Sequence, residues 1–522
     1  MDRRRVVLPL AFALSACFIY RNVQVESIER PAAPGDSVSV ATPVKAHLID
    51  GSTVVFRRGV RVAGDMVSGA GMRYTLTLSD STPVTGVTLD SVVGMESFRT
   101  EIDGGKTVLV STLATVGAIG VGIAIACAAD PKCFGSCPTY YSDSAGTLVL
   151  EAEGFSYSVA QLFESRDVDR LRLRAAPDGI VRLEVRNEAF ETHYINHLEI
   201  LEVQHSPDET VLPDEQNRPL VVRDVVATPS ARDRMGRNVR AVLAAPDGDV
   251  YRTDPRVLGR ARVGDLEDAI EVAVPAPPGA DSVVVVLRLR NSLLNTILFY
   301  DIMLGDPGAR SLDWVGNDLQ QVGPAVELAQ WYQRKMGMQI AVRGGDGGGF
   351  REIAHLKDTG PVAWKDVAIV VPVLEPDSVR IRLRFPADNW RIDRVAVATR
   401  FRRALPAVHP LTDVFDAAGR SDTTARASLA AADGRYLETT AGQRFTAEFD
   451  VGSALPAGVT RTFLLASQGY YTEWVRRGWL AAPRAARTFV PSDTALAEAI
   501  ARWRSTHDTL EARFMATRVP VR

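Results

Sequence analysis

Arg182-Leu183-Glu184-Val185-Arg186-Asn187, followed by Tyr194-Ile195-Asn196-His197-Leu198-Glu199-Ile200, decides the fold class of this chain. Apolar and charged residues alternate with period two in both halves, so one face is buried and the other solvated, as on a half-buried β-strand. The whole stretch, Val181 to Val203, reads as a strand, a short connection and a strand. It recurs twice. Val286-Leu287-Arg288-Leu289-Arg290-Asn291 leads into Phe299-Tyr300-Asp301-Ile302-Met303, and Ile381-Arg382-Leu383-Arg384-Phe385 leads into Arg391-Ile392-Asp393-Arg394-Val395-Ala396-Val397. A spacing of about a hundred residues suits a whole domain and is too long for a solenoid repeat. The expectation is a mainly β chain with a small N-terminal β-barrel or roll and two or three β-sandwich modules. A hydrophobic helix near 108–129 and a C-terminal amphipathic helix complete it.

With 522 residues there is room for three or four cores. The net charge of -3, with 24% charged residues, gives no basis for a nucleic-acid partner. Only six of the 60 basic residues are Lys, a composition bias that lowers the weight of Arg clusters such as Arg400, Arg402 and Arg403. They read as a solvated strand end.

The N-terminus carries the most specific signal. Arg3, Arg4 and Arg5 form a basic region, Val6 to Leu14 a short apolar core, and Leu14-Ser15-Ala16-Cys17 follows at once. This resembles the bacterial lipoprotein signal, which implies cleavage after residues 1–16 and acylation of Cys17. The partner at that end is then the membrane, held through the Cys17 lipid at roughly 0.8 kcal/mol per buried methylene. Position 18 is Phe and not Asp, which favours the outer membrane over retention at the inner one. An uncleaved anchor helix is the alternative, but its apolar run is too short to span. Residues 17–37, with Pro31, Pro34 and Gly35, read as a tether.

Residues 38–104 show short strands with Asp-Gly and Ser-Gly turns, suiting a small barrel or roll. Residues 105–130 include an uncharged run, Val108 to Ala129, long enough for a transmembrane helix. Packing against protein is the first alternative, and a re-entrant or interfacial insertion the second. Cys133 and Cys137, four apart in an exported chain, suggest a disulfide; a metal would need further ligands, with His193, His197 and His205 the nearest. Neither a cofactor nor a metal site is expected.

Cys137-Pro138-Thr139-Tyr140-Tyr141, Glu151-Ala152-Glu153-Gly154-Phe155-Ser156, Asn187-Glu188-Ala189 and Glu191-Thr192-His193-Tyr194-Ile195-Asn196 together resemble a group of uncharacterised bacterial envelope lipoproteins. That group has a Ser-Cys-Pro, aromatic, Tyr opening, followed by an Asn-Glu and a Tyr-Ile-Asp pair; position 196 is Asn here. The resemblance covers about 75 residues and implies an envelope location without any activity.

The rest divides into β modules at 131–214, 215–312 and 338–405, a helix at 313–337 and a β/α region at 406–522. Sandwiches of this kind resemble galactose-binding-like folds, an analogy of fold only. Asn196, Asp301 and Asp393 fall at equivalent places in the three copies. Within the helical segment Pro324 predicts a kink or a later start. Gly344 to Gly349 lacks the Lys-Ser/Thr of a phosphate loop and reads as a hairpin tip. A last helix starts near Ser492, with Leu496, Ile500, Trp503, Leu510 and Phe514 on one face.

Two functions fit. One is a noncatalytic envelope protein that binds a glycan or another envelope protein, with Tyr470, Tyr471, Trp474 and Trp479 as a candidate ligand surface. The other is a membrane-anchored hydrolase acting on envelope polymers, with Asp301, Asp313, Asp393 and Glu473 as candidate acids. The motif search finds no nucleophile elbow, zinc-protease helix or Walker loop.

Overall fold

Leu183 and Val185, Leu287 and Leu289, and Ile381 and Leu383 are each at most 1% exposed, so all three alternating stretches bury the expected face. The structure is a computed structural model describing residues 37–75, 80–98, 137–345, 348–375, 378–452, 455–481 and 487–516. Cys17, the tether, the 108–129 segment and Cys133 lie outside these residues, and so does any bridge from Cys133 to Cys137. Among the described residues, no helix is long and apolar enough to cross a membrane.

Pairing departs from the repeat in an informative way. Ile180–Arg186 and Glu191–His205 are not partners of each other. The first pairs with Arg444–Asp450 and Thr139–Ser144, the second with Thr460–Glu473, Ala407–Asp416 and Leu437–Thr439. The two strands belong to opposite layers of a nine-stranded sheet curled around Val181, Leu183, Ile195, Leu198, Phe445 and Phe463. Ala407–Asp416 joins the layers, bending at a bulge between Leu411 and Asp413. This is the first sandwich.

Ser378–Pro386 and Trp390–Ala398 behave in the same way. The former lies in a five-stranded sheet between Glu267–Pro275 and Met338–Arg343; the latter lies in a four-stranded sheet beside Ser282–Asn291. Both sheets close on one core containing Ile270, Leu287, Leu289, Ile381, Leu383 and Trp390. Segments 215–312 and 338–405, expected as separate modules, therefore build one second sandwich together. Likewise, 131–214 depends on strands from 406–473.

The middle copy of the repeat is a correction. Phe299 to Met303, expected as a strand, lies in a wide-turned helix, Ile297–Gly305, with Phe299, Tyr300, Ile302 and Met303 all buried. From Ile297 to Leu304 every residue but Asp301 is apolar. An apolar run buried on all sides has no face to reveal its period, and Asp301 alone created the appearance of alternation. The threefold duplication reduces to a twofold correspondence, in which each copy is two consecutive strands in opposite layers. In both copies a polar residue forms a β-bulge: Asn196 is skipped between Ile195 and His197, and Asp393 between Ile392 and Arg394. Asp301, on its helix, has no such role.

The second sandwich is thus inserted into the first, between Glu191–His205 and Ala407–Asp416. Glu209–Pro213, Pro219–Arg223 and Arg400–Arg403 carry the chain in and out as a three-stranded sheet. This sheet packs Leu212, Leu220 and Val222 on Val284, Val286, Ala368 and Ala396.

The N-terminal roll has seven strands between Val38 and Ser97, and Val475–Arg476, from the far end of the chain, adds an eighth beside Val92–Ser97. Between the strands of the second sandwich lies a helical block. It includes Arg310–Gly316 and Val322–Met336, the latter starting late, with Pro324 in its first turn as its fixed φ requires. The last helix, Asp493–Ala516, buries Leu496, Ile500, Trp503 and Phe514 against this block. Met338–Arg343 and Phe350–Leu356 pair as a hairpin, with the Gly344 N–H donating to the Gly349 carbonyl; residues 346–347, within the expected tip, lie outside the described residues.

Candidate functional site

The four candidate acids lie in four different settings. Asp313 Oδ1 accepts from the N–H groups of Ala41 and Thr42, both at 2.9 Å, and from the Thr42 hydroxyl at 2.6 Å. It pins Arg310–Gly316 to the roll. Asp393 accepts from Arg288 Nε at 2.9 Å and the Gly248 N–H at 3.1 Å. Asp301 sits in the helix Ile297–Gly305. Glu473, 3% exposed, ends the long strand Thr460–Glu473 and shares a hydrogen bond with Glu191.

This last pair forms a small buried network. Arg476 Nη2 donates to Glu473 Oε1 at 3.0 Å, and His193 Nε2 lies 2.6 Å from Glu191 Oε1. Burial holds Glu473 well above the ordinary carboxylate range, a shift that Arg476 opposes only in part. Burial also pushes Glu191 up to about 8 and His193 down to about 3. Near neutrality both are largely uncharged, and the short contact joins a carboxylic acid to a neutral ring. The bulge at Asn196 puts His193 on the core face with Ile195 and turns His197 away, so the two do not converge on a ligand. Among the described residues no group of three or more His, Cys, Asp or Glu is arranged to hold a metal ion.

The four candidate aromatics do not share a surface. Tyr470 and Tyr471 are neighbours on a strand and point to opposite faces. Tyr471 and Trp474 are buried, and Trp474 stacks on His47 with centroids 3.8 Å apart while donating from Nε1 to Thr192 Oγ1. Trp479 packs against Tyr300 and under the Arg476 guanidinium. Tyr470, half-buried, stacks on Tyr194 at 4.6 Å with Tyr436 edge-on at 5.3 Å. Beside this trio, Glu164 collects the Tyr436 hydroxyl, Asn196 Nδ2 and Gln468 Nε2 within 2.8 Å. Its acceptors are occupied, which makes the trio a joint and not an open platform.

An open site appears elsewhere, on the outer face of the five-stranded sheet. A cleft of about 740 Å³ is floored by Glu267, Ala269 and Glu271 from one strand and Arg382 and Arg384 from the next. These are outward residues of the alternating pattern, with Glu271 directly opposite Arg382 and Ala269 opposite Arg384. Arg382 donates to Glu271 from Nε at 3.0 Å and Nη2 at 2.7 Å, and its guanidinium lies 3.8 Å over the Phe350 ring. Arg384 donates from Nε to Gln339 at 2.9 Å. The walls are the turn at Asp265, bonded to Arg234, and the ends of two helices, where Lys335 and Asp493 pair at 2.9 Å.

No protein-family model and no curated protein matches the chain. Among solved structures, the C-terminal CBM6 module of a marine laminarinase from Zobellia galactanivorans is 10% identical, over 38% of this chain and 98% of that one, with a TM-score of 0.13. A CBM61 module in complex with β-1,4-galactotriose is 13% identical over 34% and 91%, with a TM-score of 0.15. A GH31 α-xylosidase from Xanthomonas citri is 9% identical over 84% and 38%, also at 0.15. Likenesses this slight carry no argument about function, and the fold rests on the strand pairing itself.

The cleft has its own chemistry. Its floor alternates planar donors with planar acceptors at strand spacing, already paired and therefore nearly charge-neutral. A polyhydroxyl ligand can accept from a guanidinium and donate to the carboxylate beside it without stranding either charge. The two buried acids at its end, Asp233 and Asp268, are committed elsewhere: Asp233 to the Arg237 side chain and turn N–H groups, Asp268 to Tyr251 and Thr253 at 2.7 Å each. Sequence reading found Arg382 and Arg384 as outward residues but gave them no role, because the acids opposite them lie over a hundred residues away and no local pattern joins the two strands.

Proposed function

We propose that the chain is an envelope lipoprotein that binds a glycan without transforming it, through the cleft on the five-stranded sheet. The observation that carries this reading is the 740 Å³ trench over an ion-paired floor of Arg382, Arg384, Glu267 and Glu271, open to solvent and large enough for several sugar rings. The hydrolase alternative is less favoured because Asp313, Asp393, Asp233 and Asp268 hold structural bonds and Glu473 is buried. Anchoring through Cys17 rests on the signal-like sequence alone, and an outer-membrane destination on Phe18.

A glycan array probed with the labelled protein tests the binding, and amide exchange with and without a bound glycan locates it. Protection should appear in Glu267–Pro275 and Ser378–Pro386. Protection elsewhere would remove the site. Cys17→Ser should leave an unprocessed precursor that takes up no palmitate analogue; normal maturation of that variant would contradict the anchor.

A further inference from the structure

Near the junction of the two sandwiches, Arg170 and Arg394 have no carboxylate within ion-pair distance among the described residues. A second cleft, of about 370 Å³, opens where the strand Ser165–Arg170 of the first sandwich meets Trp390–Ala398 of the second and the connecting strand Glu209–Pro213. Arg170 and Arg394 line it, with Thr210 and the three acids Asp208, Asp224 and Asp366. Each acid is already neutralised from outside the cleft. Asp208 pairs with Arg223, Asp224 with Arg400, and Asp366 with Arg288 at 3.2 Å. Arg170 and Arg394 have no hydrogen-bonded or ion-paired partner among the described residues, and the Nε of each is shut off from solvent. Two positive charges are therefore left over, half-buried, on one concave surface.

Leaving a guanidinium partly desolvated without an acceptor is costly, and a buried Nε–H without a partner adds to that cost. Burial, with Arg172 and Arg288 nearby, moves the Arg170 guanidinium below its ordinary range although Asp366 opposes this. An oxyanion placed between the two arginines would accept charge-assisted bonds from their Nη groups, the Nε atoms being closed to the cleft. Leu212 and Val286 add an apolar wall and Thr210 a hydroxyl, which suits a ring bearing the anion better than a bare ion.

We propose that this junction is a second binding site, for a saccharide carrying an oxyanion, with the anionic group held between Arg170 and Arg394. It goes beyond the first cleft, whose paired floor has no surplus charge, and depends on the glycan reading only for the saccharide part.

Isothermal titration of the full chain with oligogalacturonate, a sulfated oligosaccharide, a neutral oligosaccharide of equal length and inorganic sulfate tests it. One or both acidic saccharides should bind, weaken as salt rises, and lose roughly tenfold or more in affinity with Arg170→Gln or Arg394→Gln. Arg61→Gln, the same change of charge on the exposed face of the roll, should leave binding as it is. Which acidic saccharide binds decides between carboxylate and sulfate. Failure of both to bind, or unchanged affinity in both cleft variants, would overturn the site. Inorganic sulfate binding as tightly as the saccharides would overturn the saccharide. If either variant loses its thermal transition, arginine labelling by phenylglyoxal replaces it: ligand should protect Arg170 and Arg394, and equal labelling with and without ligand would overturn the proposal. Acidic saccharides binding here while no neutral glycan binds anywhere would uphold this site and remove the first cleft.

Discussion

Where the first sandwich meets the roll, Glu191 and Glu473 share one cation, Arg476, in a buried site. Where the second sandwich meets the last helix, Arg391, 2% exposed, lies between Asp388 and Glu511 at 2.8 Å from each, and Arg252 supplies a second cation to Glu511. Both joints set two carboxyl groups against arginine, Glu511 being only half-buried, yet the glutamates of the two joints shift in opposite directions. Arg391 and Arg252 hold Glu511 below its ordinary value in spite of burial, whereas one arginine cannot offset the desolvation of both Glu191 and Glu473. The count of cations sets the direction in which Glu511 and the Glu191–Glu473 pair shift, and with it the side of the pH range on which each contribution is lost.

Removing the cation should separate the joints most sharply. Arg391→Ala leaves the buried Asp388 without its cation and Glu511 with Arg252 alone, and should destabilise the chain by about 3–5 kcal/mol, read as denaturant midpoint. Arg476→Ala leaves a pair that can stay protonated, and at mildly acidic pH should cost clearly less. Equal losses would break the comparison.

The pH dependence follows with opposite signs. Glu191 has its pKa raised to about 8 in the folded protein, so the folded state holds the proton more tightly, and stability falls as pH climbs from the unfolded value of about 4.5 toward 8. Glu511 is depressed, so its contribution is present above the unfolded value and lost as pH drops through the folded one. His193, lowered to about 3, adds a loss between about 6.5 and 3. Hydrogen exchange should loosen the roll joint as pH rises toward 8 while the last helix holds; on acidification the roll joint should loosen from about 6.5 through His193 and the last helix only below about 4.5, and a last helix that loosens at high pH would contradict the assignment. Glu473→Gln, which keeps the shape and removes an ionisable group, should raise stability at pH 8 by about 1–2 kcal/mol and change little at pH 5.

The smallest effect concerns Arg288. Alternation alone makes it an outward, solvated residue, but the second sandwich is covered on that side, and Arg288 bonds Asp393 and Asp366 at 11% exposure. Arg288→Ala should therefore cost about 1–2 kcal/mol in a thermal melt, above the roughly 0.5 kcal/mol of an ordinary surface change.

Arg288 also marks what the sequence could reveal. Period-two alternation at Leu183, Leu287 and Ile381 placed each strand and its buried face correctly, because a half-buried strand writes its environment into every second residue. Partners were not legible. Glu191–His205 pairs with Thr460–Glu473, and the whole second sandwich lies between them in the chain. Tyr471, Trp474 and Trp479 drew attention as an aromatic surface, whereas their rings are the packing between sandwich, roll and helices. The cleft has no local signature for a related reason: each charged residue of its floor is an ordinary outward Arg or Glu until pairing sets Glu271 against Arg382. Phe299 to Met303 misled because burial on all sides erases periodicity.

The most direct test of the account is calorimetric titration of the array's best-bound neutral glycan into the parent protein and into Arg382→Ala/Arg384→Ala. Both side chains are more than a third exposed, so the double variant should melt as the parent does. The account predicts a loss of affinity of about a hundredfold from two charge-assisted contacts. Unchanged affinity in a folded double variant would contradict it.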